Sequence, residues 1–396
     1  MHILFITGEY PPMRGGVGAY TATLADALVA QGVEVSVLSD EAAAKAPVKR
    51  NAVPVFPQRR WDPAIWQSVP QLAQAIRADW VHVQYQTAAF AMNPAINLAP
   101  AWWRRAKTHR ERKRLYVAWT YHDLLVPYLF PKAGAHLRRW ITARPAHMSD
   151  LAIVTNEADR LQLVEDEHID PKKIPIGSNI DAHHLTPEER AARRAQRGYR
   201  QNQLILGYFG FLNRSKGGLT LIRTLDRLVQ QGYDVHLLMI GERVGSSDPT
   251  NFAYLHEVET LIGERGLSNR VRWTGHQIES EVSADLAAID LLLMPYVDGA
   301  SLRRGTLMAG LAHGCAIVTT TPQDPLPELV DGRDLLYFTP ENVIAAADAV
   351  SRLVENPALR QSLQARALRK SEQFTWHAIA QSHLEHYRAI SNEVGQ

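Results

Sequence analysis

HILFITGEYPPMRGGVGAY, residues 2–20, opens the chain with an apolar run, two adjacent prolines and, after them, three glycines at positions 15, 16 and 18. The run HILFIT is typical of a buried β-strand, and glycines remove side chains where a backbone must pass close to another group. The next residues predict a helix, because Tyr20, Leu24 and Leu28 share one face and Gly32 stands at its end. A helix start offers backbone amides to an anion. The stretch therefore predicts a strand, a glycine turn that faces a phosphate or a sugar, and a helix.

The alternation of apolar runs and amphipathic helices continues through the chain and restarts after a charged stretch at residues 181–201. Short apolar runs separated by helices are typical of a parallel sheet with crossovers. A length of 396 residues exceeds the usual size of a single core. We therefore predict two Rossmann-like α/β domains, residues 1–182 and 200–372, that face each other across a cleft. In the charged stretch Thr186 should cap a short helix, and we expect its arginines to form a solvated face.

The composition is that of an ordinary soluble protein, with 46% hydrophobic and 21% charged residues. The lone cysteine, Cys315, excludes an internal disulfide and is compatible with a reducing compartment. The chain shows no basic leader and no apolar run of membrane-spanning length. We expect a cytoplasmic protein.

GGVGAY could indicate a dinucleotide site. Asp40, which follows the next predicted strand, lies roughly where the ribose-binding acid of such a site would be. Two details argue against it. Thr21 stands where the third glycine of that fingerprint would be, and the loop before the first glycine is longer than the tight dinucleotide turn. A plain structural turn remains open, and a loop facing a phosphate or sugar of the substrate is favoured.

A histidine follows another predicted strand, LYVAWTYHD at residues 115–123. Ligands of open parallel sheets bind at the carboxyl ends of the strands, which is where His122 lies. A purely structural histidine is the alternative, and the position favours a contact with substrate. Asp123 either fixes the imidazole or caps the following segment.

Two further glycine turns in the second half combine cations with helix starts. FGFLNRSKGG, residues 209–218, places Arg214 and Lys216 beside paired glycines. YVDGASLRRGTLMAGLAHG, residues 296–314, leads into a helix through Ser301, Arg303, Arg304, Gly305 and Thr306. Cations next to helix amides form a good diphosphate site, and arginines at a helix start would otherwise oppose its dipole. Solvated charge pairs are the alternative for both.

WWRRAKTHRERKRL, residues 102–115, combines paired tryptophans with a run of basic residues. Such a segment could make a peripheral contact with an anionic membrane surface at the inner face. We prefer an exposed connecting helix whose tryptophans lie in the core. We expect no nucleic-acid partner, because the chain contains no recognition module for one.

Taken together and in order, these motifs resemble glycosyltransferase family 4, the retaining enzymes of the GT-B fold. The resemblance runs through PPMRGGVGAY, HDL, IPIGSNID, FGFLNRSKG, PYVDGASLRRGTLMAGLAHG and FTWHAIA. It implies a GT-B architecture in which a C-terminal helix, about residues 376–396, returns to the N-terminal domain.

The resemblance also implies an activated donor, a nucleoside diphosphate sugar held by the C-terminal domain. The acceptor, a glycan, a lipid or a small molecule, would lie against the N-terminal domain. His122, Lys216 and Arg214 would be the catalytic residues, and neither a metal nor another cofactor is expected. The donor-binding residues implied are Gly16, Gly18, Asn213, Ser301, Arg303, Arg304, Gly305 and Thr306.

Two departures from the family pattern affect the site. Phe211 stands where the family commonly has an arginine, and Ser301 and Ala309 replace two glutamates that contact the donor sugar and ribose. These replacements leave the base and the sugar of the donor open. They also keep open a non-catalytic sugar-nucleotide-binding subunit, while the fold alone would equally suit an epimerase or a phosphorylase.

Overall fold

The computed structural model describes residues 1–13, 15–44, 53–106, 114–126, 131–178, 180–243 and 249–393. The chain divides into two compact units, Met1–Gly177 together with Thr375–Gln396, and Ser178–Phe374. Each unit is a parallel sheet with helices, so the predicted class of two α/β domains is confirmed.

The first unit is built on a sheet with seven strands in its described residues, all parallel, in the order β3-β2-β1-β4-β5-β6-β7. The strands are β1 (His2–Thr7), β2 (Glu34–Asp40), β3 (Val55–Gln58), β4 (Trp80–Tyr85), β5 (Tyr116–Tyr121), β6 (Leu151–Val154) and β7 (Lys172–Lys173). The helices are α1 (Gly16–Ala30), α2 (Glu41–Ala44), α3 (Ile65–Ala75), α4 (Pro94–Trp103), α5 (Ala135–Met148), α6 (Glu157–Glu167) and, from the C-terminal segment, α14 (Trp376–Glu393).

Three central strands of this sheet are buried along their whole length, as expected for strands covered on both faces. One face packs under α3 and α4. The other packs under α1 and α14, where Leu24 and Leu28 of α1 meet Leu384 and Tyr387 of α14 in one hydrophobic cluster. The C-terminal helix is therefore an integral part of the first unit's core.

The second unit is built on six parallel strands in its described residues, in the order β10-β9-β8-β11-β12-β13. The strands are β8 (Leu204–Phe209), β9 (Val235–Ile240), β10 (Val271–Trp273), β11 (Leu291–Met294), β12 (Ile317–Thr320) and β13 (Leu336–Phe338). The helices are α7 (Pro187–Gln196), α8 (Gly218–Gln230), α9 (Pro249–Glu264), α10 (Glu279–Ala288), α11 (Gly305–Ala312), α12 (Val343–Glu355) and α13 (Pro357–Ser371).

The strand order reverses between β8 and β11, which is the switch point where open α/β sheets bind their ligands. Helix α8 follows β8 and buries the apolar face that its sequence predicts, formed by Leu221, Ile222, Leu225 and Leu228. This packing fixes the start of α8, and so the turn before it, at the carboxyl end of β8.

The prediction that the arginines of α7 form a solvated face is wrong. Thr186 caps the helix as predicted, in a capping box with Glu189. However, Arg193 and Arg194 are buried. Arg193 Nε donates to Asp285 Oδ1 over 2.6 Å, and Arg194 donates to Asp290 over 3.0 Å. Buried carboxylates of this kind compensate the desolvation of the guanidinium groups, which a one-dimensional charge pattern does not reveal.

None of the helices in the described residues is long and apolar enough to cross a membrane. At the predicted membrane segment, Trp103 is buried, whereas Trp102 is 49% exposed and stacks on Trp66 with ring centroids 5.3 Å apart. The basic residues 107–113 lie outside the described residues. The peripheral membrane contact therefore stays a prediction.

Candidate functional site

In the first glycine turn, a carboxylate of the protein itself binds the backbone amides at the start of α1. Glu9 Oε1 accepts hydrogen bonds from the backbone amides of Val17, over 3.0 Å, and Gly18, over 3.1 Å. These amides belong to the first turn of α1, where a helix has no internal partners for its N–H groups. The carboxylate complements the positive end of the helix dipole there. Two of the amides predicted to face a substrate anion are therefore occupied by the protein itself.

The three glycines of this turn have different surroundings. A Cβ at Gly15 would lie 2.1 Å from the carboxylate of Glu9, and a Cβ at Gly18 would lie 2.9 Å from the Glu9 carbonyl oxygen. A Cβ at Gly16 would meet no atom of the described residues within 4 Å. Gly15 and Gly18 thus allow the chain to fold back on itself, while open space lies in front of Gly16.

His122 lies directly after β5, at the carboxyl edge of the first sheet. Its Nε2 donates to Gln84 Oε1 of β4 over 2.9 Å, and its backbone amide donates to the Tyr85 carbonyl. The ring of Tyr20, from α1, packs edge-on against the imidazole at 4.7 Å between ring centroids. The imidazole is therefore held from two sides, by a strand and by the helix after the first glycine turn.

The histidine cluster around this position is uncharged at neutral pH. Burial, with the nearby His383 as a smaller cause, lowers the pKa of His122 to about 3. Burial also lowers the pKa of His82 well below its usual value and that of His383 to about 4. His122 consequently offers hydrogen bonds rather than a positive charge to a ligand. Asp123 accepts from the Leu125 amide over 3.1 Å, as a turn-forming aspartate does.

The second glycine turn follows β8. The side chain of Asn213 accepts from the Lys216 amide over 3.1 Å and so closes a short 3₁₀ turn. Gly217 has a positive φ of 70°, and a Cβ there would lie 1.8 Å from the Pro295 carbonyl oxygen. The Val297 amide donates to the Ser215 carbonyl over 2.9 Å. The glycine therefore lets this turn pack directly against the loop after β11, the next strand in the sheet.

The second and third turns share one aromatic ring. The Lys216 ammonium lies 5.1 Å from the centroid of Tyr296, and the Arg304 guanidinium lies 4.9 Å from the same centroid. The Tyr296 hydroxyl forms a 2.6 Å hydrogen bond with Thr306 in the first turn of α11. Two cations and the start of a helix are thus gathered at the switch point of the second sheet, where we expected a diphosphate.

Burial and the neighbouring Arg304 make the charged form of Lys216 less stable than that of a lysine in water. Arg304, at the N-cap position of α11, forms an ion pair with Asp298. Lys216 is half-buried; this burial and the charge of Arg304 lower its pKa to about 8, against the opposing effect of Asp298. A bound anion would relieve both the burial and the repulsion. Lys216 and Arg304 therefore present positive charge at the carboxyl ends of β8 and β11, with Asp298 as the carboxylate paired to Arg304.

The remaining predicted residues are more dispersed. Arg214 lies over the ring of Tyr254 and pairs with Glu257 over 2.9 Å, rather than with the group at Tyr296. Arg303 is exposed. The Ser301 hydroxyl accepts from the Arg303 amide over 3.3 Å, and Gly305 begins α11.

Ser301 and Ala309 stand at the two positions where the resemblance implied glutamates. Ser301 is half-buried in the turn before α11. Ala309 is fully buried inside α11, and its carbonyl oxygen accepts from His313 Nδ1 over 2.8 Å. Phe211, in place of the family arginine, is 49% exposed. These three positions therefore carry neither a carboxylate nor a guanidinium group.

Sequence reasoning missed Glu9, Gln84 and Tyr296 as residues of the site. Glu9 and Tyr296 stand next to glycine turns, so proximity in sequence was an available signal. Gln84 lies inside an apolar strand, and WVHVQY shows it and His82 alternating with apolar residues, which for a strand covered on both faces marks a buried polar row.

The described residues contain no cluster of three or more histidine, cysteine, aspartate or glutamate side chains arranged to hold a metal ion. The absence of a metal or cofactor from the reaction stays a prediction.

Two family models match the chain in sequence. The model described as Glycosyltransferase Family 4 matches residues 14–179, and the model described as Glycosyl transferases group 1 matches residues 203–356. The two matched ranges contain the paired or single glycines of all three turns, and His122. The chain belongs to glycosyltransferase family 4.

The chain is also similar to curated proteins that are named as glycosyltransferases. The D-inositol 3-phosphate glycosyltransferase of Nocardioides sp. is 24% identical over 254 residues, which cover 62% of this chain and 55% of the relative. Several of the curated relatives are likewise matched over about half of their length, with coverages of 53–56%. The enzyme of the same name from Arthrobacter sp. is 23% identical over 96% of this chain and 91% of its own length.

The crystal structure of Anabaena HepE in complex with UDP superposes with a TM-score of 0.75 at 19% identity, covering 98% of this chain and 100% of HepE. The predicted GT-B fold of family 4 is therefore confirmed.

Proposed function

We propose that this family 4 protein is a retaining glycosyltransferase that moves a sugar from a nucleoside diphosphate sugar to a hydroxyl group of a glycan, lipid or small-molecule acceptor. The observation that carries the proposal is the pairing of Lys216 and Arg304 over the ring of Tyr296 at the switch point of the second sheet. HepE, which shares the fold, has been crystallised with UDP and with UDP-glucose. UDP-sugars are accordingly the first donors to test.

The proposed reaction requires stabilisation of its leaving group, the nucleoside diphosphate. The bond between the anomeric carbon and the diphosphate oxygen breaks, and a bond to the acceptor oxygen forms. Negative charge develops on the departing diphosphate, which takes up the proton of the acceptor hydroxyl. We assign the Lys216 ammonium and the Arg304 guanidinium to that charge, together with the first amides of α11 at Gly305 and Thr306.

We assign the acceptor side to the first unit. His122 is neutral, so it would contact sugar hydroxyls through hydrogen bonds and would not carry a charge. Gly16 offers open backbone beside the start of α1 for the approach of a substrate. The relatives reported above carry the name D-inositol 3-phosphate glycosyltransferase, which favours a small polyhydroxylated acceptor over a polymer.

The experiment that tests this function is thermal stabilisation by a panel of UDP-, GDP- and ADP-sugars, beside the free nucleotides and NAD. A ligand that binds only the folded state adds about 2.7 kcal/mol at a concentration 100 times its Kd. We expect one nucleotide series to raise the melting temperature. Stabilisation by NAD alone, or by no nucleotide at all, would overturn the proposal.

The stabilising donor is then incubated with and without acceptors, and nucleotide release and product are followed by NMR. A transferase releases nucleotide faster when a true acceptor is present and forms a product that keeps the anomeric configuration of the donor. Interconversion of the sugar nucleotide without release would instead identify an epimerase. Binding without either reaction would identify a non-catalytic subunit.

A further inference from the structure

A row of buried polar side chains runs across the first sheet beneath α14. His82 and Gln84 lie on the same face of β4, and Thr120 lies on that face of the neighbouring β5. Each of the three is fully buried. Buried polar groups are stable only when they are hydrogen-bonded, so the partners of this row specify its arrangement.

The partners form a continuous path from the C-terminal helix to His122. The Tyr387 hydroxyl of α14 is hydrogen-bonded to His82 Nδ1. His82 Nε2 lies 2.7 Å from Thr120 Oγ1 and 3.4 Å from Gln84 Nε2. Gln84 Oε1 then accepts from His122 Nε2 over 2.9 Å.

The proton positions along this path are mutually dependent. In this orientation of the Gln84 amide the NH₂ group faces His82, so His82 Nε2 accepts, from Gln84 and from the Thr120 hydroxyl, and His82 Nδ1 carries the proton that is donated to Tyr387. The same amide directs its oxygen at His122, so His122 Nε2 must carry the proton there. Reversing the hydrogen bond at Tyr387 would turn the Gln84 amide and move the His122 proton to Nδ1.

We propose that Tyr387, His82 and Gln84 are positioning residues that fix the tautomer of His122, leaving its Nδ1 as a hydrogen-bond acceptor for a substrate hydroxyl. The C-terminal helix thereby sets the hydrogen-bonding character of a residue at the ligand edge of the first sheet. The role of this tautomer in sugar transfer rests on the proposed function. The tautomer itself is a property of the free protein.

The test is a long-range ¹H–¹⁵N correlation spectrum of histidine-labelled protein without substrate, which shows which ring nitrogen of each neutral histidine is protonated. The His122→Asn spectrum identifies His122 among the 16 histidines. We expect the wild-type His122 proton on Nε2. Tyr387→Phe keeps the aromatic ring and removes the acceptor of His82 Nδ1. The His82 proton then moves to Nε2, and the Gln84 amide turns to accept it. Gln84 now donates to His122 Nε2, so we expect the His122 proton to shift to Nδ1.

Ser391→Ala is the matched control, because Ser391 also joins α14 to β4, through a 3.2 Å hydrogen bond from Trp80 Nε1 that lies outside the path. We expect this variant to leave the His122 tautomer unchanged. A wild-type proton on Nδ1, or a Tyr387→Phe spectrum identical to wild type at His122, would overturn the proposal.

Gln84→Leu provides a second variant in case Tyr387→Phe does not fold. It removes the amide that accepts from His122 Nε2, so we expect His122 to populate both tautomers, with its proton shared between Nε2 and Nδ1. An unchanged His122 signal in that variant also overturns the proposal. Because all of these spectra are recorded without substrate, their failure is distinct from failure of the proposed glycosyl transfer, which the nucleotide panel tests.

Discussion

The glycine turn of the first unit and the paired turns of the second unit begin from the same local pattern and end with opposite charge. Before α1, the carboxylate of Glu9 occupies the helix amides of Val17 and Gly18. Before α11, Arg304 and Lys216 gather over Tyr296. A strand, a glycine turn and a helix therefore form the scaffold in both units. The sign of the nearest charged side chain then differs: a carboxylate occupies the helix amides before α1, whereas cations that favour an anionic ligand lie before α11.

The largest effect should come from removing the lysine of the second unit. Lys216→Ala takes away a preorganised cation from the leaving diphosphate, and we expect donor turnover, followed as nucleotide release, to fall by about 10²–10³-fold. The melting temperature should change little, because the lysine is half-buried beside another cation and its removal relieves repulsion.

Arg214→Ala is the matched control for this variant, since Arg214 lies two residues away but is paired with Glu257. We expect its turnover to stay close to wild type. Equal losses in the two variants would show that the charge of the whole turn matters, and not the cation pair at Tyr296.

A smaller effect is expected on the free energy of unfolding, which should distinguish Gly18 from Gly16 in the first glycine turn. Gly18→Ala forces a Cβ against the backbone of Glu9 and Tyr10, at 2.9 and 3.2 Å, so we expect a loss of about 1–3 kcal/mol in the free energy of unfolding. Gly16→Ala meets no atom of the described residues, so its unfolding free energy should match wild type. Urea denaturation of both variants measures this difference.

If Gly16→Ala proved as destabilising as Gly18→Ala, the distinction between a packing glycine and a substrate-facing glycine in this turn would be lost. If Gly16→Ala retained its stability but bound the donor or the acceptor less well, the open space before Gly16 would gain a functional role.

The sequence predicted the strands and the positions of the glycine turns well, because both depend on local patterns. HILFIT forms β1, His122 follows β5, and the turn before α11 stands at the carboxyl end of β11. These are features of hydrophobic periodicity and turn chemistry. The family motifs added the pairing of the second and third turns, which depends on strand order.

What the sequence left out depends on contacts between distant residues. The burial of Arg193 follows from Asp285, which lies far along the chain on α10. The partner of Arg214 is Glu257 on α9, and this separates Arg214 from Lys216 although the two are close in sequence. The path from Tyr387 to His122 joins α14 to two central strands. Such partners become visible only in three dimensions.

The smallest of the expected effects is also the most direct test of the central claim, that the Lys216 ammonium holds the donor diphosphate. The pKa of Lys216 in the free protein is lowered to about 8 by burial and by Arg304, with Asp298 opposing. Binding an anion raises that pKa, so the contribution of Lys216 to donor affinity is fully present below pH 8 and declines as the lysine deprotonates at higher pH.

The measurement is the Kd of the stabilising nucleotide sugar by calorimetry from pH 7 to 9, for wild type and for Lys216→Arg, whose guanidinium stays charged throughout. Titration of the base is common to both proteins and cancels in the comparison. We predict that the wild-type Kd rises by about tenfold relative to the arginine variant, as a recovery of the usual lysine pKa requires. Parallel curves for the two proteins would contradict the claim.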